Sequence, residues 1–276
     1  MKYPPKLIDE IEEKARQLRV LIIKMLQKAG SGHPGGSLSC ADIMACLYFY
    51  VLRQNPRNPQ WPDRDRFHLS KGHACPAWYA ALALKGYFSV EELWKLREIG
   101  SLLQGHPDRR TPGVDVASGS LGQGLSVALG MALAGKIDNK DYRVYVLLGD
   151  GEIQEGNIWE AAMAASHFKV DNLCAIVDYN RFQIDGRVEE IMGLEPLVNK
   201  WEAFGWHVIQ CDGHNIEELL DSFEEAKTVS GKPTCIIAHT VKGKGVSFME
   251  HVVDFHGRAP TREESEIALK ELSKDE

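Results

Sequence analysis

The apolar positions in the first part of the chain recur at helical spacing. Residues at positions 7, 11, 18, 22 and 26 share one helix face, and Gly30 follows where a helix would end. A second apolar run, 43–52, comes after Ser39 and Asp42, whose three-residue spacing resembles a capping box. The pattern predicts an opening helix and a second, buried helix that starts at Ser39. The loop that carries His33 lies between them.

From Tyr142 onward, short β-branched and aromatic runs alternate with helical stretches. Strands are predicted near Tyr142, Leu173, Trp206 and Thr234, separated by helices that include 157–168 and 216–228. This alternation predicts an α/β fold with three layers, a parallel sheet with helices on both faces. We expect one domain over residues 1–260, followed by a charged, helix-like tail over 261–276.

Composition narrows the class of function. The net charge of the 276-residue chain is −7 without a basic cluster, which argues against nucleic acid or an anionic membrane surface as a partner. The six cysteines are scattered and form no C-x-x-C pair, so we expect them to be reduced core residues. The start of the chain is charged rather than signal-like, and the run 43–52 is too short to span a bilayer. We therefore expect a cytoplasmic protein.

Residues after two of the predicted strands suit a divalent cation. Asp150 ends the strand near Tyr142 in the sequence G-D-G, and Asn180 follows the next strand, about thirty residues later. This is the length of one βαβ unit, so neighbouring parallel strands would bring both oxygen ligands to one crevice. Such a site leaves Mg2+ ligands to be supplied by water and by the phosphates of a cofactor. The alternative is an ordinary glycine turn.

A glycine-rich segment, 119–124, precedes a predicted helix over 125–134. Its backbone amides can face an anion at the helix N-terminus, although a tight helix entry packed on the sheet is the alternative. The glycine order G-x-x-G-x-G differs from that of dinucleotide-binding loops, and no G-K is followed by Ser or Thr as in a P-loop. Nucleotide hydrolysis by that route is not expected.

Several of the ten histidines adjoin glycine in predicted loops, and the candidates that can reach a ligand and exchange protons are His33, His73, His106 and His256. Histidines in predicted strands or helices are expected to be structural: His68, His167, His207 and His239. His214 and His251 are loop-like, and the sequence assigns them no role. Lys242 can offer its ammonium to a diphosphate or lie solvated at the surface. The histidines lack the close spacing of a zinc site.

The G-D-G segment and its distant asparagine resemble the thiamine diphosphate motif, and the surrounding segments resemble transketolase. The resemblance runs nearly end to end, through several segments in transketolase order: S-G-H-P-G-G at 31–36, L-S-K-G-H-A at 69–74, G-H-P-D at 105–108, A-S-G-S-L-G-Q-G-L at 117–125, A-F-G-W-H at 203–207, D-G-H at 212–214, T-V-K-G-K-G at 240–245 and F-H-G at 255–257.

The resemblance implies a thiamine diphosphate-binding fold and a set of site residues. Asp150, Asn180 and the main-chain oxygen of Phe182 would hold Mg2+, for which Ca2+ is a possible substitute. Other residues would line the cofactor: His73, Gly119, Ser120, Leu121, Gly151, Lys242 and His256. His33 and His256 would remove the proton from the donor's C3 hydroxyl, while His73 and His106 would orient the hydroxyls of the two-carbon fragment.

The resemblance also implies a partner. This chain looks like the diphosphate side only, and a relative's pyrimidine-binding domain, with its activating glutamate, would follow Gly257. We therefore expect a split transketolase that works as α2β2 with a separate chain, although a truncated protein would look the same. Glu155 would lie near the contact between subunits and link paired active sites; a solvated helix-entry carboxylate is the alternative. Gly35 and Gly36, which follow His33, carry no side chains. Any contact that the full-length relatives make in this loop through a larger residue is therefore left in doubt.

Three other functions compete with transfer of a two-carbon ketol unit from a ketose phosphate to an aldose phosphate. The α subunit of a thiamine diphosphate-dependent 2-oxo acid dehydrogenase shares the diphosphate motif and also needs a partner, but the histidine-bearing segments argue against it. Deoxyxylulose phosphate synthase, another relative of transketolase, is the second alternative. A non-catalytic scaffold would require the ligands to be lost, and they are present. The sequence does not identify the sugars.

Overall fold

A computed structural model describes residues 2–273; Met1 and residues 274–276, the end of the predicted tail, lie outside it. The strands in chain order are β1 (Arg66–Leu69), β2 (Val144–Gly149), β3 (Leu173–Tyr179), β4 (Phe182–Gln183), β5 (Gly186–Arg187), β6 (His207–Asp212) and β7 (Thr234–His239). Five of them form a parallel sheet in the order β1-β2-β3-β7-β6, and β4 and β5 form a small antiparallel hairpin.

Helices surround this sheet. In chain order they are α1 (Pro5–Ala29), α2 (Pro34–Ser39), α3 (Ala41–Cys46), α4 (Cys75–Lys85), α5 (Gly124–Ile137), α6 (Gly156–His167), α7 (Val188–Ile191), α8 (Leu197–Ala203), α9 (Ile216–Thr228) and α10 (Arg262–Glu271). A π-helical turn, Leu47–Val51, continues α3. Short 3-10 helices cover Gly72–Ala74, Val90–Lys95, Glu152–Gln154 and Val253–His256.

Two hydrophobic cores lie on opposite faces of the sheet. Because successive strand side chains point to opposite faces, β2 divides its apolar residues between the cores. Val144, Val146 and Leu148 pack in the core with α5, α6 and α8. Tyr145 and Leu147 pack in the core with α1, α3, α4 and α9. The predicted three-layer fold is confirmed.

The prediction that the second helix starts at Ser39 is wrong. The chain becomes helical at Pro34, directly after His33, and α3 begins at Ala41 without a side-chain cap. Ser39 does not cap a helix, because its hydroxyl is buried and donates its one proton to Asp178 Oδ2 at 2.6 Å. The opening helix and its left-handed Gly30 cap agree with the sequence, as does the helix over 216–228.

The register of the sheet brings the ends of several strands to one edge. Gly149 of β2 lies opposite Asp178 of β3, so Asp150 and Asn180 leave the sheet side by side. Tyr179 of β3 lies opposite His239 of β7, and the segment that carries Lys242 therefore leaves at the same edge. Ligands of open parallel sheets bind at this carboxyl edge.

The helix of the predicted tail packs on its own chain. A capping box between Thr261 and Glu264 starts α10, and Ala268 is buried against α1. Arg16 of α1 donates to the carbonyl of Leu272 at 3.0 Å, and Ser247 donates to the Glu271 carboxylate. The division into a domain and a tail stays a prediction.

Within residues 2–273 all six cysteines are buried and free of disulfides. Over the same residues, none of the helices combines the length and the hydrophobicity that crossing a bilayer requires.

His68 of β1 gives folding a pH dependence that does not involve the carboxyl edge. Burial lowers the pKa of His68 to about 4, and its Nδ1 has no hydrogen-bond partner among residues 2–273. The unfolded chain takes up a proton near pH 6.5 whereas the folded chain does not, so this residue costs stability as the pH falls from about 6.5 to about 4. Its contribution to the slope is about 1.4 kcal/mol per pH unit.

We expect His68→Leu to remove that slope from the pH dependence of the free energy of unfolding, measured by urea denaturation between pH 4 and 7. His167→Leu, at an exposed position, is the control and should leave the slope unchanged. Equal slopes for His68→Leu and the wild type would contradict the assignment.

Candidate active site

A cavity of about 410 Å³ lies at the carboxyl edge of the sheet. It is lined by nearly all the predicted site residues: His33, His73, His106, Gly119, Leu121, Asp150, Gly151, Glu155, Asn180, Phe182, Lys242 and His256. Ser120 is exposed and does not line it, so its role in binding stays a prediction. Residues more than two hundred positions apart in sequence therefore share one cavity.

The side chains of Asp150 and Asn180 both accept hydrogen bonds from the main chain of one turn, 180–182. The main-chain amide of Arg181 donates to Asp150 Oδ2 at 2.5 Å, and that of Phe182 donates to Asn180 Oδ1 at 3.1 Å. The other amide atom of Asn180, Nδ2, donates to Asp178 Oδ2 at 3.2 Å. These two bonds fix the orientation of the Asn180 amide, so that its oxygen keeps a lone pair for a further partner.

The charges at this turn fit a bound cation. Asp150 is buried, and burial together with the neighbouring Asp178 raises its pKa to about 7. The ammonium of Lys242 lies nearby and donates to the Phe182 carbonyl at 3.3 Å. A carboxylate, an amide oxygen and a main-chain carbonyl are the oxygen donors that Mg2+ prefers.

Protein side chains alone would not complete the coordination of such a cation. Within residues 2–273 no group of three or more His, Cys, Asp or Glu side chains is arranged to hold a metal ion. A cation at Asp150 and Asn180 would therefore take further oxygens from another source, and phosphate groups in the cavity would supply them. The residues present fit a magnesium diphosphate.

Three imidazoles face one another at one side of the cavity. The ring centroids of His33 and His73 are 5.2 Å apart, those of His33 and His256 are 5.6 Å apart, and those of His73 and His256 are 5.2 Å apart. Burial lowers the pKa of His33 to about 4, and burial with the Lys242 ammonium lowers that of His256 to about 3. The pKa of His73 also lies well below its ordinary value, because the ring is buried near Lys71.

All three rings are therefore neutral at pH 7 and can accept or donate a hydrogen bond. Lys242 Nζ lies 2.8 Å from His256 Nδ1. Because an ammonium can only donate, Nδ1 of His256 accepts and its Nε2 carries the proton. His33 is different, since its buried Nδ1 has no hydrogen-bond partner within residues 2–273. His106 is exposed, and its ring packs beside Gly119 at the mouth.

A buried ion pair at the wall of the cavity was not predicted from the sequence. Lys71 Nζ donates to Asp178 Oδ2 and to the Gly36 carbonyl, the latter at 2.7 Å. Asp178 also accepts from Ser39 and from the Thr240 hydroxyl. Burial alone would raise the pKa of Asp178, but Lys71 and these hydrogen bonds hold it below its ordinary value. The carboxylate is therefore ionised, and it fixes the amide of Asn180.

Glu152, a buried carboxylate that joins three segments, was not predicted either. Its Oε1 accepts from Ser70 and from the Gly122 amide at 3.0 Å, and its Oε2 accepts from the Gly149 amide at 3.0 Å. The Gly122 amide, predicted to face a bound anion, therefore binds this side chain. Lys71 and Glu152 could have been found from their positions shortly after strands β1 and β2, because Asp150 was found from the same kind of position.

Glu155 lies exposed at the rim of the cavity, as the N-cap of α6. Its side chain packs against Gly122, where a Cβ would lie 2.7 Å from Glu155 Cβ and the backbone φ is +84°. Only glycine suits that contact. Glu155 is thus exposed at the rim, and both its place near a subunit contact and its link to a paired site stay predictions.

Comparison with known proteins identifies the family. The family model "Transketolase, thiamine diphosphate binding domain" matches residues 11–274. The chain belongs to the transketolase family. Within residues 2–273, the thiamine diphosphate-binding domain of this transketolase family member carries both the Asp150–Asn180 turn and the histidine cluster.

Two bacterial relatives have about the length of this family member. It is 49% identical over 267 residues to the 6-deoxy-6-sulfo-D-fructose transketolase subunit SqwG of Clostridium sp. strain MSTE9, covering 96% of this chain and 97% of that one. It is 45% identical over 266 residues to one subunit of the apulose-4-phosphate transketolase of Phocaeicola vulgatus, covering 96% and 95%.

Other transketolases are more than twice as long. The human transketolase is 44% identical over 266 residues, which cover 96% of this chain and 42% of the human one. The crystal structure of the Campylobacter jejuni transketolase superposes with a TM-score of 0.93 at 39% identity, covering 97% of this chain and 43% of that one. The chain thus spans less than half the length of these relatives and adopts the same fold.

The buried Lys71–Asp178 pair makes a prediction about stability. Asp178→Asn should lower the free energy of unfolding by about 3–5 kcal/mol, because it leaves the Lys71 ammonium buried without a counter-charge. The double variant Lys71→Met/Asp178→Asn should recover part of that loss, since it removes both charges. Urea denaturation measures both variants.

The control for this pair is Asp63→Asn, which breaks the exposed Lys140–Asp63 pair. An exposed ion pair contributes about 0–1 kcal/mol. A loss in Asp178→Asn no greater than in this control, or a double variant less stable than the single one, would contradict the prediction.

Proposed function

We propose that the protein is the diphosphate-binding subunit of a two-chain transketolase. With thiamine diphosphate and Mg2+, the enzyme transfers a two-carbon ketol unit from a ketose phosphate to an aldose phosphate. The observation that carries this proposal is the cluster of three neutral imidazoles beside the Asp150–Asn180 turn in one cavity. The full-length match to relatives named as transketolase subunits supports it.

The partner in this proposal is a separate chain that supplies the pyrimidine-binding domain and its activating glutamate, in an α2β2 assembly. Relatives of more than twice the length support a missing second part, because this chain matches only 42–43% of them. Glu155 at the exposed rim would meet the partner. The free, buried cysteines support a reducing, cytoplasmic location.

In the proposed site, thiamine diphosphate supplies the nucleophile and the electron sink for breaking a carbon–carbon bond. Asp150, Asn180 and the Phe182 carbonyl hold Mg2+, and Lys242 presents its ammonium to the diphosphate. The ammonium suits this role because it is held in a buried place, where its attraction to phosphate is weakly screened. Gly119, Leu121 and Gly151 line the cofactor.

The tautomers divide the work among the histidines. His33 is neutral and lines the cavity, so its ring can take the proton from the donor's C3 hydroxyl. His256, whose Nδ1 accepts from Lys242, presents Nε2–H and can donate to a sugar oxygen. This favours His33 over His256 as the base. His73 and His106 orient the hydroxyls of the two-carbon fragment.

The sugars differ among the relatives. By their names, one acts on 6-deoxy-6-sulfo-D-fructose and another on apulose 4-phosphate, whereas the longer relatives are simply transketolases. For this chain we propose sugar phosphates as a class, and a panel of donors is needed to choose among them.

Reconstitution tests the function. The chain is purified with the polypeptide that accompanies it in its native cell, and the complex is given xylulose 5-phosphate and ribose 5-phosphate with thiamine diphosphate and Mg2+. We expect two-carbon transfer by the complex and none by the chain alone. A panel of other ketoses, including 6-deoxy-6-sulfo-D-fructose, extends the assay.

Two other substrate pairs test the competing functions. Turnover of pyruvate with an electron acceptor would indicate a 2-oxo acid dehydrogenase, and turnover of pyruvate with glyceraldehyde 3-phosphate a deoxyxylulose phosphate synthase. Either result, without ketol transfer from any donor in the panel, would overturn the proposal. Absence of cofactor binding with and without the partner would favour a scaffold.

Asp150→Ala should abolish metal-dependent binding of thiamine diphosphate, because it removes the one carboxylate of the proposed cation site. Calorimetry with the partner present, with and without Mg2+, measures the affinity. Asp138→Ala, an exposed carboxylate at the end of α5, is the control and should bind as the wild type does. Unchanged affinity in Asp150→Ala would count against the assigned site.

His33→Ala should lower kcat for ketol transfer about 100- to 10,000-fold, because it removes the proposed base. The Kd for thiamine diphosphate should change little, which separates proton transfer from cofactor binding. His207→Ala serves as the control, since that ring pairs with Glu225 at the surface. If His33→Ala keeps the kcat of the wild type, another group is the base.

A further inference from the structure

One buried carboxylate, that of Asp42, holds both ends of the turn that carries Lys242. On one side, Asp42 Oδ2 lies 2.7 Å from His214 Nδ1, and His214 Nε2 accepts from the main-chain amide of Val241 at 2.8 Å. On the other side, Arg19 binds both oxygens of Asp42, and its Nε donates to the carbonyl of Lys244 at 3.1 Å. Asp42 is thus connected, through His214 and Arg19, to Val241 and Lys244 on either side of Lys242.

The hydrogen-bond directions in this network are fixed. A main-chain amide can only donate, so His214 Nε2 accepts from Val241 and His214 Nδ1 carries the proton that is donated to Asp42. Burial alone would raise the pKa of Asp42, but Arg19 and His214 hold it below its ordinary value. Asp42 is therefore an ionised hydrogen-bond acceptor. Each of its two partners, Arg19 and His214, also makes one hydrogen bond to the main chain of the turn.

The position of Lys242 depends on this turn as well as on its own contacts. The side chain is long and flexible, and it is only 1% exposed in the folded chain. Its ammonium reaches two groups that both belong to the cavity, the Phe182 carbonyl and His256 Nδ1. A third anchor, the Gly243 amide on the Gly35 carbonyl at 3.0 Å, joins the turn to α2. Loosening either end of the turn would displace the ammonium.

We propose that Asp42 and His214 are positioning residues for Lys242, which place its ammonium in the cofactor cavity through the turn Val241–Lys244 without touching the cavity themselves. The proposal gives a role to His214 of the D-G-H segment, which the sequence left without one. It rests on the proposed function, because Lys242 is there assigned to the diphosphate.

Hydrogen exchange of the Val241 amide tests the network without any cofactor. His214→Ala should speed this exchange about tenfold or more, because the amide loses its acceptor. His214→Gln, which keeps one donor and one acceptor, should exchange nearly as the wild type does. His214→Ala also keeps the Arg19–Asp42 ion pair, so it is the milder variant if Asp42→Asn does not fold.

A matched control lies at the other end of the sheet. Asp65 is a buried carboxylate that accepts from the Arg143 amide at 2.8 Å and from the amide and guanidinium of Arg53. Asp65→Asn should leave exchange of the Val241 amide unchanged, because Asp65 binds Arg53 and Arg143 and lies away from the turn. Unchanged exchange of Val241 in His214→Ala would overturn the proposal, whether or not the protein binds a cofactor.

The affinity for thiamine diphosphate with Mg2+, measured on the complex with the partner chain, tests the effect on Lys242. Asp42→Asn and His214→Ala should each raise Kd about tenfold in the wild-type background and leave it unchanged in the Lys242→Met background. Asp65→Asn should leave Kd unchanged in both.

The results distinguish the two proposals. Equal effects of Asp42→Asn and His214→Ala with and without Lys242 would show a general loss of structure and overturn the positioning role. If the wild-type complex binds no thiamine diphosphate, the proposed function fails, while the Val241 exchange still decides whether Asp42 and His214 hold the turn.

Discussion

The fully buried carboxylate of Asp178 is the interaction on which the site depends. It lies at the carboxyl end of the central strand β3 and accepts hydrogen bonds from its neighbour Asn180 and from three other segments, through Lys71, Ser39 and Thr240. A buried charge is tolerated only when it is paired and hydrogen-bonded, so these segments must all reach Asp178 in the folded state. The orientation of the Asn180 amide follows from that requirement.

Two more carboxylates repeat this design around the cavity. Glu152 accepts from the main-chain amides of Gly122 and Gly149, and Asp42 is connected to both ends of the Lys242 turn. Loops at the edge of a parallel sheet lack the hydrogen bonds of regular structure, and each carboxylate replaces some of them. The loops are thereby held firmly while the cavity between them stays open.

The charged groups in the cavity suit a ligand that is itself charged. Lys71 is balanced by Asp178, whereas Lys242 has only a carbonyl and an imidazole as hydrogen-bond partners among residues 2–273, and burial lowers its pKa to about 8. Burial also disfavours the charged forms of Asp150 and of the clustered histidines. A magnesium diphosphate would supply a cation for Asp150 and an anion for Lys242 at once.

The strands of the parallel sheet from Tyr142 onward could be predicted from the sequence, because an apolar run that is buried on both faces of a parallel sheet has a distinctive composition. The short β4–β5 hairpin was not predicted. The pairing of Asp150 with Asn180 could also be predicted, since their spacing fits one βαβ unit. The start of the second helix could not. Ser39 and Asp42 have the spacing of a helix cap, but their side chains bind distant partners, Asp178 in one case and Arg19 and His214 in the other.

The sequence by itself determined the fold class, the Asp150–Asn180 turn and the candidate histidines next to glycine, since these depend on local patterns and on segments of one family in order. Tertiary structure alone decided which polar residues support them. Lys71, Glu152, Asp178 and the Arg19–Asp42–His214 network are joined by contacts between residues far apart in the chain. Such contacts leave no periodicity in the sequence, because a buried charge selects its partner by position in space and not by spacing along the chain.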